Sequence, residues 1–310
     1  MSATIAKIDF RPFTVEDRAL YERFLFAEKE GRGCEFSFAN LYLWGRQSFA
    51  LQDGNILFFS QFNRRTVYPY PLVQGDARVA LDAVIADARE RGIPCRITGL
   101  SASAVETVSA LYPDKFRFHC DEGGFDYVYA IDDLADLAGK KYHSKRNHIA
   151  RFRATYPAAT AKPITAEDIP AVREMLAAWY EDRLREDPHG DYEMERVALA
   201  HALRDFAALG LDGMAIWNEG EVLAFTIGSR LSRDTLDVHF EKARAGVDGA
   251  YAAINCEFAN YIREKYPDIR FLDREEDMGL EGLRKAKRSY RPHHMVEKCW
   301  ACLLEDGYDY

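Results

Sequence analysis

Residues 273–292 read DREEDMGLEGLRKAKRSYRP. Asp273, Glu275, Glu276 and Asp277 put four acids into five positions, and Arg284, Lys285, Lys287, Arg288 and Arg291 follow with five bases in eight. Acids before a helix and bases in its last turns suit the helix dipole, and Glu281 can pair with Lys285 one turn on. Neither effect accounts for carboxylates this crowded, because each like charge raises the cost of ionising the next. The segment follows a predicted strand, and strand ends that feed helices are where open α/β folds hold ligands. Glu275, Glu276, Arg284, Lys285 and Tyr290 are therefore candidate site residues.

A second group precedes it. His239 and Glu241 alternate along DVHFEKA and share a face. Either is a candidate general base for an amine, whose pKa of about 10.4 keeps it protonated near neutrality; for His239 a solvent-facing strand position is the plainer expectation. RAGVDGAY (244–251) then sets Gly246 and Gly249 between a strand and a helix, where a glycine turn can hold a pyrophosphate on backbone N–H groups. Its spacing departs from the Arg/Gln-x-x-Gly-x-Gly/Ala pattern of acetyltransferases. No nucleophile elbow, phosphate-binding Walker loop or zinc motif occurs elsewhere.

A third group is basic. Leu137–Ala166 contains no acid but holds Lys140, Lys141, Lys145, Arg146, Arg151, Arg153 and Lys162. With Tyr142, Ile149, Phe152 and Tyr156 on one helical face, Lys141, Lys145 and His148 fall on another. The expectation is a basic interdomain helix along a cleft, facing a phosphate, a carboxylate or a tRNA backbone. The whole chain carries 41 bases against 50 acids, a net charge of −9, which excludes unselective coating of nucleic acid.

The elements that must position these groups alternate. Strands are expected at 55–62, 66–72, 94–100, 116–120 and 125–131, around helices at 76–92 and 101–112. The second half gives helices over 171–184 and 193–209, an antiparallel run at 212–218, 221–231 and 234–243, a helix over 249–265 that buries Tyr251, Ile254, Phe258, Tyr261 and Ile262, and strands at 268–273 and 294–304. Leu280, Leu283, Ala286 and Tyr290 form an expected buried stripe on the charged helix. PFTVED (12–17) and PITAED (163–168) match in proline, threonine, glutamate and aspartate, close to half the chain apart. Both have the form of a capping box, and together they predict a duplicated domain. No apolar run reaches the roughly 20 residues of a membrane span, MSATIAKIDFRPF has no leader-like core, and six scattered cysteines read as thiols of a cytoplasmic protein. The pair Cys299 and Cys302 reads as structural, and no metal is expected.

CEFSFANLYLW (34–44), KKYHSKRNHIARF (140–152), EKARAGVDGAYAAINCEF (241–258) and the opening segment resemble a bacterial family related to the C-terminal domain of phosphatidylglycerol lysyltransferase. The resemblance implies a mixed α/β fold of two tandem acyltransferase-like domains, similar to Gcn5-related N-acetyltransferases and Fem-type aminoacyl transferases. Expected boundaries are 1–137, a basic helix over 138–160, and 161–310 with the site. The implied activity is transfer of an acyl or aminoacyl group from aminoacyl-tRNA or a coenzyme A thioester, without a tightly bound cofactor. The acceptor would be a small amine, a peptide or a lipid head group. Glu241, Glu275 or Glu276 would take or hold the proton, Asn255 and Tyr290 would orient the acceptor, and Lys145, Arg146, Arg284 and Lys285 would neutralise donor phosphate. The alternative is a non-catalytic module that binds an anion or a partner on the same duplicated fold. Oligomeric state is left open.

Overall fold

The computed structural model describes residues 7–28, 30–45, 47–62, 65–190 and 192–306; the first six residues of the segment read as leaderless lie outside these. One sheet contains β1 (Arg11–Pro12), β2 (Gln47–Gln52), β3 (Asn55–Phe62), β4 (Arg65–Pro69), β5 (Leu72–Val73), β6 (Arg96–Leu100), β7 (Phe116–Cys120) and β15 (Cys299–Leu303). The other contains β8 (Asp126–Ala130), β9 (Thr160–Pro163), β10 (Asp212–Asn218), β11 (Glu221–Arg230), β12 (Thr235–Ala243), β13 (Phe271–Asp273) and β14 (His294–Val296). The helices are α1 (Arg18–Leu25), α2 (Phe38–Leu43), α3 (Ala77–Arg91), α4 (Ala102–Leu111), α5 (Ile131–Asp136), α6 (His143–Thr155), α7 (Ile169–Glu186), α8 (Glu193–Arg204), α9 (Ala250–Lys265) and α10 (Glu281–Arg288).

The two sheets have the same order. The first runs β1-β2-β3-β4-β6-β15-β7, with β5 on β3, and the second runs β9-β10-β11-β12-β13-β8-β14. In each, an antiparallel meander ends on one parallel pair, β4 with β6 and β12 with β13. The next strand is antiparallel and comes from the other half of the chain: β15 in the first sheet, β8 in the second. Two compact units result, residues 1–126 with 276–281 and 295–310, and residues 127–275 with 282–294. The expected single cuts at 137 and 161 miss this exchange. The run 294–304, expected as one strand, is two strands in different sheets, because Glu297 and Lys298 interrupt its apolar alternation.

The repeated hexapeptide builds the same device twice. The backbone N–H and hydroxyl of Thr14 both donate to Asp17, and those of Thr165 both donate to Asp168. Each aspartate also takes a base from the preceding edge strand, Arg11 at 2.6 Å and Lys162 at 2.7 Å.

In the second unit α9 packs on β10–β12, α5 and α6, burying Ile254, Phe258 and Ile262 while Tyr251 stays exposed. The basic helix α6 is thus part of this unit, docked through Ile149 and Phe152. In the first unit Tyr21, Phe36, Phe38 and Phe58 form a buried aromatic core.

Candidate functional site

The site grows from the parallel pair of the second sheet. β12 and β13 pair only over Thr235–Asp237 and Phe271–Asp273, and beyond Asp237 the strand runs on to Ala243 without β13 beside it. On its other side the register slips: Ile227 faces Phe240 and Gly228 faces Val238, which leaves His239 as the extra residue of a bulge. Bulges of this kind re-aim side chains and bend the strand. Only glycine fits at 228, since a Cβ there would lie 2.4 Å from the Asp237 carbonyl oxygen.

Across the opened segment lies Arg274. Its Nη2 donates to Glu241 Oε1 at 2.8 Å, and both side chains are largely buried, at 15% and 11% exposure. Asn255 on α9 donates to Glu241 Oε2 at 3.4 Å. The guanidinium lies over the rings of Tyr290 and Tyr129, at 5.0 and 5.7 Å, and Lys145 Nζ sits 3.6 Å from the Tyr290 ring centre. Burial, helped by the charge of Arg274, lowers the Lys145 amine to about 8, and burial pushes the Tyr290 phenol up to about 12. Lys145 therefore exchanges a proton close to neutral pH, whereas Tyr290 stays protonated. Three polar atoms here are buried without a hydrogen-bond partner among the described residues: Arg274 Nη1, Asn255 Oδ1 and the hydroxyl of Thr226, the cross-strand neighbour of Glu241. Native interiors seldom leave such groups uncommitted, and together they offer donors and an acceptor to a polar ligand.

Glu241, Asn255, Tyr290 and Lys145 thus lie around Arg274, and the remaining candidates separate. The acids of DREED go to different places. Asp273 accepts the N–H of Glu275, and Asp277 accepts that of Gly279. Glu275 turns toward His239 at 3.7 Å. Glu276 belongs to the first unit, where Lys298 Nζ lies 2.7 Å from Asp126, 3.3 Å from Glu35 and 3.4 Å from Glu276. Burial raises the Asp126 carboxyl to about 8 in that cage. His239, expected at the solvent face, is buried, and its Nε2 lies 2.8 Å from Ser229 Oγ. Arg284 is half-buried and Lys285 exposed on α10, and no residue of α10 is buried. The expected stripe fails because Leu280 is exposed just before the helix and Ala286 lies open on it.

Much of the acid-free stretch pairs with acids from elsewhere. Lys141 pairs with Asp133, Arg151 and His148 with Asp248, and Arg153 with Glu257. Arg146 donates to the carbonyls of Leu137 and Gly139. Of this stretch, Lys145 enters the buried site. Gly249 caps α9 at φ +81°, and a Cβ there would lie 2.3 Å from the His148 carbonyl, so helix packing explains this glycine. Gly246, at φ +76°, lines a surface cavity of about 340 Å³ with Arg183, Arg244 and Tyr251. Arg274 carried one signal in the sequence, a lone base among acids; Thr226 and Tyr129 carried none.

Two of the six cysteines are not thiols. Cys120 and Cys299 form a disulfide between the paired strands β7 and β15, because the antiparallel register sets them opposite each other. Cys302 is free, so Cys299 and Cys302 do not act as a pair. No helix of the described residues is long and apolar enough to cross a membrane.

Two similarly ordered sheets flanked by helices, with a buried polar site at the splayed parallel pair, define a tandem acyltransferase-type fold. The chain belongs to the family described as phosphatidylglycerol lysyltransferase, C-terminal, whose model matches residues 26–302. A conserved protein of unknown function from Bacteroides thetaiotaomicron VPI-5482 is 39% identical, with a TM-score of 0.90 over 96% of this chain and 99% of that one. The L-PGS of Bacillus licheniformis shares the fold at 16% identity, with a TM-score of 0.65 over 92% and 91% of the two chains. FemX shares it at 12% identity, with a TM-score of 0.59 over 96% and 98%. The chain is also 24% identical over 204 residues to an uncharacterized protein of Mycoplasmoides gallisepticum, and this match takes in 65% of the chain and 63% of that relative's length.

Proposed function

We propose that the protein is an aminoacyltransferase that moves an activated aminoacyl group from a tRNA ester to an amine or hydroxyl acceptor at the Arg274–Glu241–Lys145 site. The observation that carries this reading is the buried Arg274, whose Nη1 is uncommitted while Glu241 fixes Nη2. A guanidinium anchored on one side presents its remaining donors to a carbonyl or phosphate oxygen. Family membership supports transfer of an aminoacyl group over other acyl chemistry.

In the reaction the acceptor nitrogen or oxygen bonds to the acyl carbon, and the ester C–O bond to the donor breaks. Neutral Lys145 takes the acceptor's proton and returns it to the departing oxygen, a task suited to an amine with a pKa of about 8. Arg274 Nη1 and backbone N–H groups of the unpaired part of β12 stabilise the charge that develops on the carbonyl oxygen, an effect worth several kcal/mol when the donors are fixed beforehand. Glu241 holds Arg274 rather than acting as the base, and Asn255 Oδ1 accepts from an N–H of the acceptor or aminoacyl group.

Thermal shift against charged tRNA, uncharged tRNA, coenzyme A and acetyl-CoA tests this reading. A ligand at 100 times its dissociation constant adds about 2.7 kcal/mol. A shift with charged tRNA, lost in Arg274→Lys, is expected. A shift confined to coenzyme A thioesters would replace the tRNA donor, and no shift with any of them would overturn the proposal in favour of a binding module.

A further inference from the structure

We infer that Asp237, His239 and Glu275 form a binding site for a first-row divalent cation in the second unit. His239 is the bulge residue of β12, with a side chain fully removed from solvent. Its Nε2 is engaged with Ser229 Oγ at 2.8 Å, which leaves Nδ1 as the ring atom that faces the two carboxylates. That atom is buried without a hydrogen-bond partner. It points between Asp237 Oδ2 at 3.2 Å and Glu275 Oε1 at 3.7 Å, and one ligand atom from each of the three residues lies within 4.8 Å of the other two.

Around a zinc ion, nitrogen and carboxylate ligands sit about 2.0–2.2 Å from the metal, so adjacent ligand atoms lie roughly 3.0–3.6 Å apart. The two separations from His239 Nδ1, 3.2 and 3.7 Å, match that to within about a tenth of an ångström, and the third lies within 4.8 Å. In the tautomer whose Nε2–H donates to Ser229, the Nδ1 lone pair faces the ion, the arrangement in which a neighbouring oxygen fixes the tautomer of a metal-binding histidine. One imidazole and two carboxylates suit Zn²⁺ or Mn²⁺ over softer ions. Glu275, at 26% exposure, is the open side through which the ion enters and where water completes its coordination. Its backbone is left-handed, at φ +59°, a conformation a glutamate holds only when its surroundings fix it. Because Glu275 follows Arg274 directly, a bound cation also anchors the segment that carries the guanidinium.

The site is independent of the transfer reading, and so is its test. The whole protein is stripped with chelator, dialysed against Zn²⁺ or Mn²⁺, and assayed for bound metal by mass spectrometry. One ion per chain is expected. His239→Ala and the isosteric Glu275→Gln should each weaken it by more than about a hundredfold, since loss of outer-shell support alone costs about 10–100-fold. Glu275→Gln changes a part-exposed side chain and keeps the test valid if His239→Ala does not fold. Co²⁺ loading should give the bands of nitrogen and oxygen ligands alone. No bound ion, binding unchanged in Glu275→Gln, or a thiolate-to-cobalt band pointing to Cys34 would each overturn the inference.

Discussion

At the scale of single residues, the site rests on one buried ion pair whose partners are unequal in what they leave open. Glu241 is held by both Arg274 and Asn255, whereas Arg274 keeps Nη1 uncommitted. Glu241→Gln strands a guanidinium away from water, and breaking such a pair costs about 3–5 kcal/mol. Glu241→Gln with Arg274→Met removes both charges and should recover most of that stability, because apolar replacement of a buried pair is often neutral. Urea unfolding of the two single variants and the double variant reads this coupling; additive losses would show that the pair is not buried as described. Lys145 gives a pH signature. Its amine is lowered to about 8 in the folded protein and lies near 10.4 unfolded, so between about pH 8 and 10 the unfolded chain binds more protons at this residue and stability rises with pH. Subtracting the unfolding free energies of Lys145→Met from those of the unaltered protein at pH 7.5 and 9.5 isolates this rise, and a flat difference would contradict it.

At the scale of elements, what the sequence made legible follows from local rules, and what it hid follows from tertiary placement. β3 covers the expected residues 55–62, and both capping boxes form as their threonine–aspartate spacing requires. The bulge at His239 could not be read, because it depends on how β11 pairs with β12 and on the absence of a side chain at Gly228. The basic stretch misled because its counter-charges, Asp133, Asp248 and Glu257, lie outside it in sequence and beside it in space. The helix after the acids misled because its pattern separates charge from non-charge without burying the apolar side. Gly249 shows the same division: visible as a glycine of a turn, its purpose is the approach of α6. Gly249→Ala should destabilise by about 1–3 kcal/mol through its left-handed backbone alone, with more from the collision with His148. Gly246→Ala shares the positive φ but meets open space. A thermal melt in which Gly246→Ala costs as much as Gly249→Ala would remove packing against α6 as the reason.

At the scale of the whole chain, PFTVED and PITAED led to the expectation of a duplicated domain, and the strand exchange argues that neither half of the chain folds alone. A fragment of residues 1–137 would have β6 and β7 with no β15 between them. It would also carry β8, whose hydrogen-bond partners lie on β13 and β14. Residues 138–310 would have the complementary gap between β13 and β14. A missing interior strand leaves two rows of backbone N–H and C=O groups unpaired and an apolar face uncovered, and a sheet opened in this way pairs with other chains. The disulfide from Cys120 to Cys299 joins strands contributed by opposite halves, so oxidation pins the exchange once it has formed. Expressed separately in reducing buffer, each fragment should show no cooperative urea transition by circular dichroism and should aggregate. Mixed during refolding, the two should form a one-to-one complex with a single transition, because each supplies the strand the other lacks. A cooperative transition from residues 138–310 alone would show that β8 is dispensable to its sheet, and that the halves kept the independence their repeated openings suggest.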